Sequence, residues 1–320
     1  MRHVIAVDVG GTLMKAGLIT EDGTLLYEER RPTGRKNGPE SVLGTVVDFV
    51  GELRSVGNRV FGSEPAGVGI GVPGVVCEQQ GEVILSANLG WRDTPIGSII
   101  GDRLGGVPVA IGHDMRVGGL AEGRLGAARG LERFLFMAIG TGIAAAIALN
   151  GRFERGAHGY AGEVGHVVVR PGGRACGCGQ SGCLETISSA AALAHAWAQA
   201  TGDPNASARD LTRAVEAGDT RAAAIWDDGL SALADALIMC ANLLDPEALI
   251  IGGGLAEAGD TLFVPLRQAV ADRGGLQNRP PLIAAALGDN AGCLGAGLLA
   301  WDLVGKREPG SGPFCDSSKG

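Results

Sequence analysis

The chain has 320 residues, 45% of them hydrophobic, with 55 glycines and a formal net charge of −8. That length suits about two domains with sizeable cores. The acidic balance and the lack of any Lys/Arg run argue against a nucleic-acid partner. No stretch approaches the roughly 20 uninterrupted apolar residues of a membrane span, which argues against a membrane partner.

Only Val4 to Val7 precede Asp8, too few for a secretory apolar region, so the chain reads as cytoplasmic. There its seven cysteines are not expected to pair. Cys77, Cys240, Cys293 and Cys315 are scattered and read as core or tail thiols. Cys176, Cys178 and Cys183 crowd together and ask for a metal. The glycines are not periodic, which excludes collagen; they cluster after apolar runs, where turns and ligand loops belong.

In chain order, residues 4–9, 12–20 and 24–31 read as a three-stranded meander. Its turns are Gly10-Gly11 and Asp22-Gly23. Residues 39–54 carry helical spacing through Val42, Val46, Phe49, Val50 and Leu53. Strands follow at 66–72, ending in Gly71-Val72-Pro73-Gly74, and at 107–111, ending near His113-Asp114. Residues 133–139, the turn Gly140-Thr141-Gly142, residues 143–149 and Asn150-Gly151 then repeat the opening pattern. We read this as an internal duplication: two domains of similar topology, each presenting a glycine hairpin. Helices are expected at 185–200, 210–217, 220–244 (stopped by Asp245-Pro246) and 292–304. Strands are expected at 248–251, before Gly252-Gly253-Gly254, and at 282–287. Residues 306–320 read as a disordered tail. The class is α/β with grafted antiparallel meanders.

The most specific stretch is GEVGHVVVRPGGRACGCGQSGCLE, residues 162–185. His166, Cys176, Cys178 and Cys183 offer one imidazole and three thiolates, a set that suits a tetrahedral structural Zn²⁺. The glycines at 177, 179 and 182 let the loop wrap round such an ion. Glu163 and Glu185 ride on the same unit. With one ring nitrogen on the metal, His166 has the other free to face a ligand. Two carboxylates and an imidazole N–H would make a receptor for the hydroxyls of a sugar; the plainer reading leaves both glutamates as solvated surface residues.

Taken together, Asp8-x-Gly10-Gly11-Thr12, Gly71-x-Pro73-Gly74, Asp114, Gly140-Thr141-Gly142, Gly162-Glu163-x-x-His166 and Cys176-x-Cys178-Gly179-x-x-Gly182-Cys183-x-Glu185 resemble the ROK family of bacterial sugar kinases and sugar-responsive repressors. The resemblance spans nearly all of residues 4–304 and implies a two-domain actin-like ATPase fold of the hexokinase type with a small zinc-binding loop. The expected domains are 1–112 with 293–305, and 113–292 carrying the zinc loop. The resemblance further implies two phosphate loops for ATP, at Gly10, Gly11 and Thr12 and at Gly140, Thr141 and Gly142. Asp8 would help organise Mg²⁺, and Gly253 and Gly254 would lie beside the adenosine. Gly74, Asn88, His113, Asp114, Glu163, His166 and Glu185 would hold a hexose, with Asp114 as general base; the residue-level alternative for Asp114 is a helix N-cap. Lys15 either contacts phosphate or faces solvent.

The family usually has Asn-Asp where this chain has His113-Asp114. The family's repressors carry an N-terminal winged helix, for which the three residues before the first strand leave no room, so the kinase branch is expected. Relatives are commonly dimers or tetramers, and a homo-oligomer is expected. The expected activity is phosphorylation of a hexose 6-hydroxyl, glucose first. The alternatives are fructose, mannose or an N-acetylated amino sugar, or a sugar sensor without catalysis. A nicotinamide-binding Rossmann domain is disfavoured, because no G-x-G-x-x-G opens a helix after the first strand.

Overall fold

A computed structural model describes residues 1–273 and 279–305, so the expected tail at 306–320 and Cys315 lie outside the described residues. The chain divides into two units, one of 1–125, 155–160 and 290 onward, the other of 126–154 and 161–289.

The first unit is built on a sheet of five strands: β1 (Val4–Val9), β2 (Leu13–Ile19), β3 (Leu25–Pro32), β4 (Val68–Val72) and β8 (Val109–His113). Their order across the sheet is β3-β2-β1-β4-β8. β1 to β3 are antiparallel, as the glycine turns dictate, while β4 and β8 run parallel to β1. β1 reads VIAVDV with nearly every residue buried, as a strand covered on both faces must. Helix α1 (Pro39–Phe61) starts with Pro at its first position and stops at Gly62 in the left-handed conformation. It buries Val42, Val46, Phe49, Val50 and Leu53, the stripe its spacing predicts.

The other face is covered by α3 (Asp114–Arg124) and α9 (Ala291–Val304), which pack on each other. Glycines let backbones touch there. A Cβ on Gly69 of β4 would lie 1.8 Å from the Ala296 carbonyl oxygen, and one on Gly295 would lie 1.9 Å from that of Val117. Because α3 is held by α9, the first unit runs on to Leu125 instead of ending at residue 112. Residues 155–160 also join it. A meander of β5 (Val75–Cys77), β6 (Glu82–Ser86) and β7 (Trp91–Thr94) leads to α2 (Ile96–Arg103); none of these four elements is among those expected from sequence.

The second unit carries a sheet of β9 (Phe134–Ile139), β10 (Ile143–Leu149), β11 (Arg152–Phe153), β12 (Ala248–Gly252) and β13 (Leu282–Ala284). Their order is β11-β10-β9-β12-β13. The pairing repeats the first sheet strand for strand: two antiparallel neighbours on one side and two parallel ones on the other. The expected duplication of topology is therefore present.

The helix expected at 185–200 is two helices, α4 (Glu185–Ser188) and α5 (Ala190–Thr201). Ser189 is extended between them, and its hydroxyl accepts from the Ala192 amide to cap α5. α6 (Ala208–Glu216) and α7 (Thr220–Leu244) follow, and α7 ends at Asp245 with φ 44°, before Pro246. Helix α8 (Asp260–Asp272) is a further unexpected element; Pro265 inside it weakens its sequence signal. Among the described residues no helix is long and apolar enough to cross a membrane.

Candidate active site

In the first unit the functional residues leave one edge of the sheet. Asp8 on β1 is level with Gly71 on β4, and Gly71 with Gly112 on β8, so Asp8, Pro73-Gly74 and His113-Asp114 emerge together at the C-terminal ends of three neighbouring parallel strands. Open α/β sheets hold ligands at that edge. Gly292, in the first turn of α9, makes room for the half-buried Asp8 carboxylate: a Cβ there would sit 2.2 Å from Asp8 Oδ2, whereas one on Gly71 would be in ordinary contact, 3.6 Å from Oδ1. The start of a helix also favours a negative charge.

The turn after β1 is tightly braced. The Gly10 amide donates to Leu13 O at 3.1 Å, and the Thr33 hydroxyl donates to Gly10 O at 2.6 Å. A Cβ on Gly10 would meet Leu13 O at 2.6 Å, so the turn itself demands glycine there. Thr12 is exposed, and Asn88 lies beside the turn, its Cβ 3.7 Å from where a Gly11 Cβ would be. Lys15 does not face solvent. It is buried on β2 opposite Asp8, and its ammonium donates to Asn290 Oδ1 at 3.3 Å. Gly74 has φ 107°, and a Cβ there would strike Leu85 O of β6 at 2.2 Å, so the meander requires this glycine whatever its ligand role.

His113 and Asp114 divide the capping role differently from expectation. His113 is the N-cap of α3, and Asp114 is the first helical residue. The Met115 amide donates to Asp114 Oδ1 at 2.7 Å and to His113 Nδ1 at 3.3 Å. Accepting at Nδ1 leaves the imidazole proton on Nε2. Burial pushes His113 below the usual histidine range, against the opposing pull of the Asp114 carboxylate. Asp114 is only partly covered, its side chain 33% exposed.

In the second unit the turn Gly140-Thr141-Gly142 joins β9 to β10, with Thr141 exposed. Gly253, after β12, has φ 80° and lies so close to Ile139 that a Cβ would be 2.6 Å from its backbone. Gly253 and Gly254 thus stand next to the 140–142 turn.

Segment 162–166 lies on β10. The Ala145 amide donates to Gly162 O at 2.8 Å, and Cβ atoms on Gly162 and Gly165 would strike the carbonyl oxygens of Ala145 and Ile143 at 2.0 and 2.1 Å. Glu185 opens α4 and accepts from the Ile143 amide at 2.9 Å, its Oε2 filling the space over Gly142. Glu163 Oε2 is 3.9 Å from His166 Nε2. Glu185 thus sits over the second glycine turn, while Glu163 and His166 face each other on the segment packed against β10.

The ligand atoms of His166, Cys176, Cys178 and Cys183 all lie within 4.8 Å of one another. His166 Nδ1 is 3.5 Å from Cys176 Sγ, and Cys178 Sγ is 3.6 Å from Cys183 Sγ. A tetrahedral zinc ion with its usual bond lengths separates two sulfurs by about 3.8 Å and a sulfur from a nitrogen by about 3.6 Å, so the donor set fits. His166 turns Nδ1 to the cysteines and Nε2 toward Glu163.

The wrap of the loop is glycine-dependent at two of three expected positions. Gly179 and Gly182 have φ of 92° and 82°, and a Gly182 Cβ would lie 1.6 Å from Arg170 O. Gly177 has open space and no positive φ. Hydrogen bonds, first that from the Gln180 backbone, lower the Cys178 thiol to about 7, while burial raises Cys183 to about 12.

Residues 4–302 match the ROK family as a whole. The glucokinase of Halalkalibacterium halodurans is 32% identical over 332 aligned positions, gaps included, that cover 97% of this chain and 98% of that one. The chain belongs to the ROK family. The crystal structure of a ROK family glucokinase from Streptomyces griseus in complex with glucose and AMPPNP is similar with a TM-score of 0.80, at 29% identity over 93% of this chain and 99% of that one. The crystal structure of the ROK hexokinase from Thermus thermophilus gives 0.79 at 32% identity over 95% and 99%. The hexokinase-type fold inferred from the motifs is that of this ROK protein.

Charged residues outside every sequence motif surround the start of α3: Glu78, Arg116 and Arg155. They come from three separate segments, and no spacing rule joins them. Gly292 is equally silent in the sequence, because its role is visible only once Asp8 is seen against it.

Proposed function

We propose that the protein transfers the γ-phosphoryl group of ATP to the 6-hydroxyl of a hexose, glucose first, with Asp114 as general base. The chain is an ATP-dependent sugar kinase, similar to glucokinases along 97% of its length. The observation that supports the finer reading is the strand register. It brings Asp8 and the His113-Asp114 pair out at one edge, from strands about 10 Å apart.

The turns at 10–12 and 140–142 receive phosphate oxygens through backbone N–H groups and the hydroxyls of Thr12 and Thr141. Gly253 and Gly254 border the adenosine. Asp8, a partly buried carboxylate beside the first turn, is the hard oxygen ligand that Mg²⁺ takes, directly or through water. Mg²⁺ bound there supplies charge neutralisation on the phosphates. The hexose is held by Gly74, Asn88, His113, Glu163, His166 and Glu185.

Asp114 accepts the proton of the attacking hydroxyl as the new O–P bond forms and the bond to ADP breaks. Its remaining exposure leaves the carboxylate reachable. His113 Nε2–H donates where the family's asparagine would. His166, Cys176, Cys178 and Cys183 would hold a structural Zn²⁺, which would leave Nε2 of His166 free to face the sugar.

A coupled assay of ADP formation tests the reading, with Mg-ATP and glucose, fructose, mannose or N-acetylmannosamine in turn. ADP release that depends on glucose is expected. Release independent of every sugar, or none with any of them, contradicts it.

A further inference from the structure

Two glycines and a threonine fold the segment after β3 back onto the first glycine turn. In Thr33-Gly34-Arg35-Lys36-Asn37-Gly38 the glycines have positive φ, 72° and 94°. Between them Arg35–Asn37 form a single 3₁₀ turn, just before Pro39 opens α1. The Asn37 amide donates to Gly34 O at 2.9 Å, and the Gly38 amide to Arg35 O at 3.2 Å. Thr33 is fully buried and ties the segment down: its amide donates to Thr12 O at 2.9 Å, and its hydroxyl to Gly10 O at 2.6 Å.

This fold brings Arg35 against the turn. Its Nη1 lies 4.0 Å from where a Cβ on Gly11 would stand. Arg30 and Arg31, just upstream on β3, each meet a carboxylate: Arg30 Nε donates to Glu28 at 3.0 Å, and Arg31 Nη2 to Glu29 at 2.7 Å. The side chain of Arg35 is exposed and, among the described residues, has neither a hydrogen bond nor an ion pair. The amides of Gly11 and Thr12, unlike that of Gly10, likewise make no hydrogen bond among the described residues. Two backbone N–H groups and a guanidinium thus stand at one turn without an acceptor. A guanidinium takes phosphate oxygens through paired N–H groups and keeps its charge at any working pH.

We propose that Arg35 is a nucleotide-binding residue: its guanidinium donates to the terminal phosphates received at the first glycine turn, so that affinity depends on the number of phosphates. This rests on the turn at 10–12 being a phosphate site.

Calorimetric titration of the full chain tests the proposal, with Mg-AMPPNP, AMP and glucose each added alone. Arg35→Ala should bind Mg-AMPPNP about tenfold more weakly than wild type, as loss of a charge-assisted hydrogen bond does. AMP, which lacks the terminal phosphates, should bind both proteins equally. So should glucose, although Asn88 lies beside the same turn. Arg59→Ala removes an equal exposed charge in the last turn of α1, about 30 Å along the helix, and should change nothing. Equal affinity of wild type and Arg35→Ala for Mg-AMPPNP overturns the proposal. So does equal weakening of Mg-AMPPNP and AMP, which marks a disturbed turn, or weakening of glucose alone, or the same loss in Arg59→Ala. A wild-type chain that binds no Mg-AMPPNP removes the phosphate role of the turn itself; normal wild-type binding with an indifferent Arg35→Ala removes only that of Arg35.

Discussion

Asp114, His113 and Gly182 each carry a consequence that one substitution exposes. Asp114→Asn keeps the size of the side chain and the bond from the Met115 amide, so the fold should persist while kcat falls by about 10²–10⁴. Steady-state kinetics beside a melting curve checks both halves. His113 titrates below its unfolded value because it is buried. The unfolded chain therefore binds more protons as pH drops through 6.5, and stability that is complete above that value is lost on the way down to the folded pKa. Melting temperature should fall on acidification below about 6.5, and less steeply in His113→Asn; parallel slopes would remove His113 as a cause. His3, buried and lowered in the same way, adds to the wild-type slope and is common to both proteins. At this scale the motifs singled out Asp8 and Asp114, and the spacing of His166, Cys176, Cys178 and Cys183 pointed to side chains that do come together. The sequence left Lys15 open between phosphate and solvent, because the Asn290 that accepts from its ammonium lies 275 positions away.

Among the elements, the metal loop and the α9 seat invite the sharpest tests. In the loop, Gly182→Ala forces a Cβ into Arg170 O at a positive φ, whereas Gly177→Ala meets open space. Zinc content measured by elemental analysis should be about one per chain in wild type and Gly177→Ala, and should drop in Gly182→Ala. A strong chelator should lower the melting temperature, and added zinc should restore it. At the α9 seat, Gly69→Ala drives a methyl into the Ala296 carbonyl, which neither backbone can yield easily. A loss of about 3 kcal/mol in denaturant unfolding is expected, the upper end for overpacking. Activity should fall with it, since α9 also carries α3 and hence Asp114.

The strands with glycine turns and the apolar helices were legible because period and punctuation agree locally. The short β5–β7 meander and α8 were not, because three-residue pairing and an internal proline leave little periodic signal. The break at Ser189 was hidden by the alanine-rich run around it, which reads as one helix until the serine is seen capping its successor.

At the level of the whole molecule, two sheets of identical order repeat one plan. In each, a glycine hairpin opens the sheet and a parallel strand follows it. That plan was visible in the spacing of the turns; the membership of α3 was not, because only its packing on α9 assigns it. The first unit is assembled from segments far apart in sequence, and α9 covers β1, β4 and β8 from the chain's other end. Removal of residues 290–320 should therefore expose that sheet face and leave the first unit unfolded, as circular dichroism and proteolysis would report. A truncated chain as protease-resistant as the full one would contradict this.

Phosphorus NMR of one mixture tests the phosphoryl transfer and its base most directly: wild-type protein, Mg-ATP and glucose, run beside Asp114→Asn. A sugar 6-phosphate signal growing in step with ADP, and nearly absent with the variant, is the predicted result. ADP appearing with inorganic phosphate alone, or equal sugar phosphate from both proteins, would contradict it.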